Sequence, residues 1–313
     1  MRTTHIPAAM RTRRWQTASV LTVRDDQVVP EIARHWQLPE RGLHVESLQP
    51  GATSQVWLVH APEQQYVAKL CFDTRPAFEL GLKAAEHVER ATGIATGAPI
   101  RTVDGDLSVL IPTIPDQEHP VALLTPVAGE RTELDAVAAA ELLFTIHAAL
   151  RSLPAVIGHD PFRYLTDDSH EYAYQGTIRP ALQAVVDAVR SADLTHGTCY
   201  GDGAETVRQG NGEVALLDWG GVLAGPVLWD VAEWMQPGDS DFRGNFQARL
   251  IDLGFVTEKE MALLPLVVRV RAARELRYRA FRFLHPDHYG TAEKDGPRIE
   301  ELASELGIRL VRR

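Results

Sequence analysis

Cysteine is scarce in this chain, with only Cys71 and Cys199 among 313 residues. Two thiols build neither a disulfide framework nor a four-ligand zinc site. Both lie in apolar, strand-like stretches, where buried and inert thiols are expected. Long apolar runs are missing too: nothing approaches the roughly 18 uninterrupted residues that a membrane helix needs. The opening MRTTHIPAAMRTRRWQ is basic, but neither an apolar core nor a small-residue cleavage site follows it. It therefore reads as a frayed or disordered arm over 1–20 rather than a secretory leader, and a cytoplasmic protein with no membrane partner is the expectation. Positive charge is also in deficit. Lys and Arg number 32 against 42 Asp and Glu, a net charge of −10, which argues against nucleic acid as a general partner. Repeats and low-complexity tracts are absent. What remains is an ordinary globular composition in a chain long enough for two cores.

The first part of the chain after the arm has a strand-rich pattern. DDQVVPEIARHWQL reads as a short amphipathic helix stopped by Pro39 and Gly42. Three alternating runs then lie within residues 43–72, broken at Pro50-Gly51 and at Ala61-Pro62, and predict three antiparallel strands. PAFELGLKAAEHVERATG has helical spacing, with Pro76 near its start and Gly93 at its end. Further strands follow in GAPIRTVDGDLSVLIPTI, a pair turned at Asp104-Gly105, and in PVALLTPVAGE. From 130 onward long helical patterns dominate, among them TELDAVAAAELLFTIHAALRSL and TIRPALQAVVDAVRSAD. The expected fold class is α+β and bilobal: a small antiparallel-sheet lobe over 21–129, a larger helical lobe over 130–313, and a cleft between them.

One stretch interrupts the helical half. CYGDGAETVRQGNGEVALLDWGG carries Asp202 in a Gly-containing loop and Asp218 at the end of an apolar strand. A β-hairpin with one carboxylate at each end fixes the separation of two acids, which suits two divided tasks at one site. The run YGD, LLDWGG, GPVLWDVAEW resembles the catalytic core of the aminoglycoside phosphotransferase and choline kinase-like family, whose pattern is H-G-D-x-x-x-x-N, then D-[FWL], then G-x-x-x-x-D-[LIV]-A. In the same order, QPGATSQVWLV resembles that family's phosphate-covering loop, YVAKL its lysine strand, VALLTPVAGE its hinge and ELLFTIHAAL its Leu-His helix. The resemblance runs from about Leu48 to Phe283 and implies a protein-kinase-like fold.

Phosphoryl transfer explains these residue types, because catalysis there is positioning plus neutralisation of phosphate charge. The resemblance makes Asp202 the residue that accepts or orients the proton of a substrate hydroxyl, and Asp218 a magnesium ligand. It makes Lys69 the contact to the α- and β-phosphates of ATP or GTP, held by a helix glutamate, Glu79 in preference to Glu86. Gly51, Ala52, Thr53, Ser54 and Gln55 would cover the phosphates, and Leu124, Thr125 and Val127 would meet the purine. Asp230 matches the position that braces the catalytic loop.

Two departures stand out. Tyr200 replaces the family's histidine, and Val207 stands where a metal-binding asparagine is usual, in a segment about two residues short. With a one-residue gap, Thr206 or its neighbour Glu205 supplies the missing oxygen. The expected activity is magnesium-dependent phosphorylation of a small-molecule hydroxyl, such as that of an aminoglycoside, another antibiotic or a metabolite alcohol. Alternatives are a kinase acting on Ser or Thr of a peptide, and a pseudokinase that only binds.

Other features have plainer readings. His147 is expected to be a hydrogen-bonded packing residue and Trp219 to pack beneath the second aspartate. Arg271, Arg274, Arg279 and Arg282 form a solvated basic face opposite Ala273, Leu276, Ala280, Phe283 and Leu284. The acidic HDPFRYLTDDSHEY is read as a polar connection.

Overall fold

A computed structural model describes residues 23–48, 54–72, 74–113, 117–153, 162–166, 171–236, 238–284 and 292–310. Helix α1 (Asp25–Trp36) is followed by strands β1 (His44–Ser47), β2 (Ser54–His60) and β3 (Gln65–Cys71), then helix α2 (Arg75–Thr92). Strands β4 (Pro99–Ile100), β5 (Val109–Thr113) and β6 (Gln117–Leu124) complete the first lobe. The strand order is β1-β2-β3-β6 with every pairing antiparallel. On the far edge of β6, β4 pairs with Leu123 and Leu124, and β5 pairs with residues 117–121. The Asp104-Gly105 turn therefore does not close a hairpin, as its sequence suggested. It lets β4 and β5 lie end to end along one neighbour.

Strand alternation decides which residues face the cleft. In the β2–β3 register Lys69 lies opposite Val56, so Ser54, Val56, Val67, Lys69 and Cys71 share one face. The other face carries Trp57, Val59, Tyr66, Ala68 and Leu70, and α1 covers it with Val28, Ile32, Ala33 and Trp36. Trp57 Nε1 donates to Asp25 Oδ1 at 2.9 Å, which ties the start of α1 to the sheet. Helix α2 packs on the Lys69 face through Phe78 and Leu82, and it ends at Gly93, whose φ of 76° closes the helix.

The second lobe is built around α3 (Ala136–Leu150), α5 (Gln175–Arg190), α6 (Leu228–Trp234), α7 (Ser240–Asp252), α9 (Leu264–Leu284) and α10 (Ala292–Glu305), with the short α4 (Arg163–Thr166) and α8 (Glu258–Met261) between them. Its core is continuous, from Leu143 and Ile146 on α3 to Val270 and Leu276 on α9. Set into this core are β8 (His196–Cys199), β9 (Glu205–Arg208), β10 (Val214–Leu217) and β11 (Leu223–Pro226). Both cysteines are buried, and neither forms a disulfide. Among the described residues no helix is long and apolar enough to cross a membrane.

Candidate active site

Two ladders position the paired acids. Strand β9 pairs with β10, setting Glu205 opposite Leu217, and β8 pairs with β11, setting Cys199 opposite Leu223. The loops 200–204 and 218–222 leave these ladders at the same place and are forced together. Gly201, at φ +85°, comes so close to the carbonyl of Gly221 that a Cβ there would lie 1.8 Å from its oxygen. A Cβ on Gly221 would meet Asp202 Cβ at 3.0 Å. Glycine is required at this crossing, because any side chain would push the two acids apart.

The loop carrying Asp202 is held from below. Asp230, fully buried on α6, accepts hydrogen bonds from Tyr200 N and Gly201 N, each at 2.7 Å. His147 Nε2 lies 2.7 Å from the same carboxylate, and since a carboxylate accepts, that nitrogen carries the hydrogen. His147 is the hydrogen-bonded packing residue expected, and Asp230 the brace. Tyr200, also fully buried, donates its hydroxyl to the carbonyl of Leu217, the residue before Asp218. It stands edge-on to Trp219 at 5.0 Å, whose indole donates to Leu216 O at 3.0 Å. Burial, then the nearby Asp218 and Asp202, push the phenol well above its ordinary value, so it stays a donor.

Lys69 reaches across from the sheet to this hairpin. Its Nζ donates to Asp218 Oδ1 at 2.7 Å. Asp218 itself sits at φ 61°, a left-handed conformation rare for a residue with a side chain. Burial alone would raise its carboxyl, but Lys69 and the Gly220 N–H outweigh that and hold it below the usual range. Asp202 behaves oppositely. Burial raises it, the Gly203 N–H at 2.8 Å lowers it, Asp218 raises it again, Arg274 and Lys69 lower it, and the net shift is upward. One hollow is lined by Lys69, Asp218 and Gly220 together with Gly81, Gly97 and Leu124.

Several expected site residues lie elsewhere. Glu79 does not hold Lys69: it accepts from Arg75 Nε and from Ser108 Oγ, both at 2.8 Å. Burial raises its carboxyl, but those two bonds more than offset the effect. The alternative, Glu86, pairs with Arg101 at 2.6 Å. The physical reason is the face that α2 presents: Phe78, Gly81, Leu82 and Ala85, at helical spacing, line the hollow, and no carboxylate falls on that stripe. Gln55 cannot cover phosphates, because alternation turns it to the α1 face, where its amide binds both the N–H and the carbonyl of Val23 at 3.0 Å. Ser54 shares the Lys69 face but is buried at the strand end, and Gly51, Ala52 and Thr53 lie outside the described residues.

The replacement metal ligands fare unevenly. Thr206 is buried and donates its hydroxyl to Thr132 O at 2.6 Å, so it is committed to the ladder between β7 (Glu130–Arg131) and β9. Glu205 is exposed beside the acids and pairs with Arg131 at 2.7 Å. Val207 is buried on the same strand and packs against Gly129. Among the described residues no group of three metal-binding side chains comes together. The donor set therefore suits a hard cation held by one carboxylate, Asp218, with Glu205 available only if it leaves Arg131 and with remaining positions for phosphate and water. At the hinge, Leu124 ends β6, Thr125 N donates to Ala98 O at 3.0 Å, and Thr125, Val127 and Leu217 all come close to Gly97.

Sequence reasoning missed three participants. Gly81 signalled itself as a glycine inside a helical pattern: a Cβ there would lie 2.0 Å from Trp219 O, so α2 rests directly on the turn after Asp218. Glu233, with its carboxyl raised by burial against the pull of Arg271, carried no signal. Nor did Arg274, which was read as solvated. Arg271, Arg274, Arg279 and Arg282 of α9 are in fact half-buried and engaged, while Leu284 is exposed. The polar connection HDPFRYLTDDSHEY falls partly outside the described residues.

No family model matches the chain, and no curated protein does. Solved structures match along nearly its whole length. An amicoumacin kinase in complex with AMP-PNP and Ca2+ superposes with a TM-score of 0.69 at 9% identity, covering 90% of this chain and 92% of that one. A microcompartment-associated aminopropanol kinase gives 0.69 at 15% identity, covering 92% and 100%. A choline kinase from Streptococcus pneumoniae gives 0.61 at 14% identity, covering 90% and 97%. The chain has the bilobal α+β fold of the aminoglycoside phosphotransferase and choline kinase-like proteins.

Proposed function

We propose that the protein is a phosphotransferase that moves the γ-phosphoryl group of ATP or GTP to a hydroxyl of a small molecule. The observation that carries this reading is the meeting of Lys69 with Asp218, 2.7 Å apart, beside Asp202 on the adjoining loop. The fold shared with small-molecule kinases supports it. In this reading Lys69 leaves Asp218 to bind phosphate oxygens, and the hinge from Leu124 to Val127 takes the purine. Magnesium held by Asp218 would supply charge neutralisation for the phosphates. Asp202 accepts the proton of the acceptor hydroxyl as its oxygen bonds to the γ-phosphorus and the bond to the leaving diphosphate breaks. The raised carboxyl of Asp202 suits a group that must take up a proton.

The test uses γ-labelled ATP, magnesium and a mixed panel of aminoglycosides, simple alcohols and Ser/Thr peptides. Label should move to one class of small molecule in wild type and not in Asp202→Ala; equal transfer by the two proteins removes Asp202 from the chemistry.

A second reading, a binding or scaffolding module that no longer uses nucleotide, is favoured by one fact: neither Glu79 nor Glu86 of α2 pairs with Lys69. Thermal melting separates the readings. A ligand at about 100 times its Kd adds about 2.7 kcal/mol of stability, so an unchanged melting temperature at millimolar Mg–ATP would argue for the inert module.

A further inference from the structure

Arg274 is set apart from its neighbours on α9. Arg271 meets Glu233 at 2.8 Å, Arg279 meets Glu275 at 2.8 Å and Asp295 at 2.9 Å, and Arg282 meets Asp295 at 3.3 Å. Arg274 has no ion pair among the described residues, although it is only half exposed and the chain as a whole is acidic. Its guanidinium lies 5.4 Å over the ring of Trp229. That ring is fully buried, and its Nε1 donates at 3.3 Å to the carbonyl of Gly201, the residue before Asp202. Stacking holds the guanidinium beside the loop of Gly201 and Asp202, and none of its N–H groups is hydrogen-bonded among the described residues, so a planar guanidinium is available to take an oxyanion through two parallel hydrogen bonds. The other acid in this corner is already engaged: Glu233 binds Arg271 and also accepts from Gln236 at 2.9 Å. The field of Arg274 reaches Asp202 and Glu233, whereas Asp218 responds to Lys69 and Gly220. Asp202 thus feels two cations, Lys69 from the sheet and Arg274 from α9.

We propose that Arg274 docks an oxyanion, a carboxylate or phosphate, carried by the phosphate acceptor, so that the substrate is an anionic hydroxyl compound rather than a polycationic one. The inference rests on the phosphotransferase reading above and names its acceptor class. A polycation would need surplus acid in this corner. Apart from Asp202, the acids here are already bound, Glu233 by Arg271, Asp218 by Lys69 and Glu205 by Arg131, whereas Arg274 has no ion pair among the described residues.

Calorimetric titration of the full chain, with and without AMP-PNP and magnesium, tests this with a matched set: gluconate, glucose 6-phosphate, glucose, glucosamine and kanamycin. Gluconate or glucose 6-phosphate, whichever anion fits, should bind in preference to glucose, glucosamine and kanamycin. Arg274→Gln should weaken the preferred anion by about tenfold or more, and Arg274→Lys should restore part of the loss. Tighter binding of glucosamine or kanamycin, anion binding unchanged in Arg274→Gln, absence of anion binding, or an effect confined to AMP-PNP affinity would each overturn it. Near-ultraviolet circular dichroism checks that the variants fold, and if Arg274→Gln does not, the wild-type preference between anion and cation decides. Failure of nucleotide to bind wild type defeats the phosphotransferase reading separately, since anion binding is read in its absence.

Discussion

Asp202 and Asp218 are chemically alike, yet their surroundings drive them apart. Asp202 is raised because burial dominates and Asp218 adds to it, while Asp218 is lowered because Lys69 and Gly220 overcome its burial. The acid limb of the activity profile should therefore lie above the ordinary aspartate value of about 3.9. Arg274→Gln, which removes one of the lowering charges, should move that limb to higher pH; a limb that stays in place would disconnect the two residues. Stability follows the same signs. The folded protein holds the Asp202 proton more tightly than the unfolded chain, so this group's contribution falls as pH rises from the ordinary value through the raised one. For Asp218 the contribution is present above the ordinary value and is lost as pH falls through the depressed one. Asp202→Asn should then be inactive by about 10²–10⁴-fold in transfer, yet no less stable than wild type at neutral pH in urea titration. A clear loss of stability would show that the carboxylate is structural.

Two contacts between elements set the geometry of the acids. Asp230 joins α6 to the loop after β8 and to α3 through three hydrogen bonds. Asp230→Ala strands two buried amides and His147, and should cost about 3–5 kcal/mol of unfolding free energy; a loss below about 1 kcal/mol would mean that water replaces the carboxylate. The other contact is α2 against the 3-10 turn Trp219–Gly221. Gly81→Ala inserts a methyl where 2.0 Å is free, which overpacks the contact by about 1–3 kcal/mol and tilts α2 off the turn. Because that turn carries Asp218, nucleotide affinity should fall along with stability. A variant that loses stability but binds nucleotide normally would separate the helix from the site.

At the scale of the whole molecule, the sheet supplies Lys69 and the helical lobe supplies Asp202 and Asp218, so the candidate site lies where the two lobes meet. Helix α1 works at a distance from it, by closing the outer face of the sheet against Trp57 and Leu70. Ile32→Ala should lower stability by about 2–5 kcal/mol and, if the small lobe opens first, should weaken nucleotide binding before the helical lobe unfolds. Coincident loss of all signals would make the two lobes one cooperative unit.

The elements and their order were legible in the sequence because they depend on local pattern: alternation in β2 and β3, helical spacing with Pro76 and Gly93 at α2, and a hairpin bounded by Asp202 and Asp218. Lys69 and the two acids could also be named, since each sits in a short motif. What the sequence left open was partner choice. Glu79 turned to Arg75, Gln55 turned to Val23 and Thr206 turned to Thr132, because strand parity and helix phase fix the direction of a side chain only once the neighbouring element is in place. Arg274 looked like surface on a helical wheel, and only the packing of α6 beneath α9 laid it over Trp229 beside Asp202. Period and motif are properties of a short stretch of chain, whereas the company a charge keeps depends on residues far away along it, which tertiary packing alone brings near.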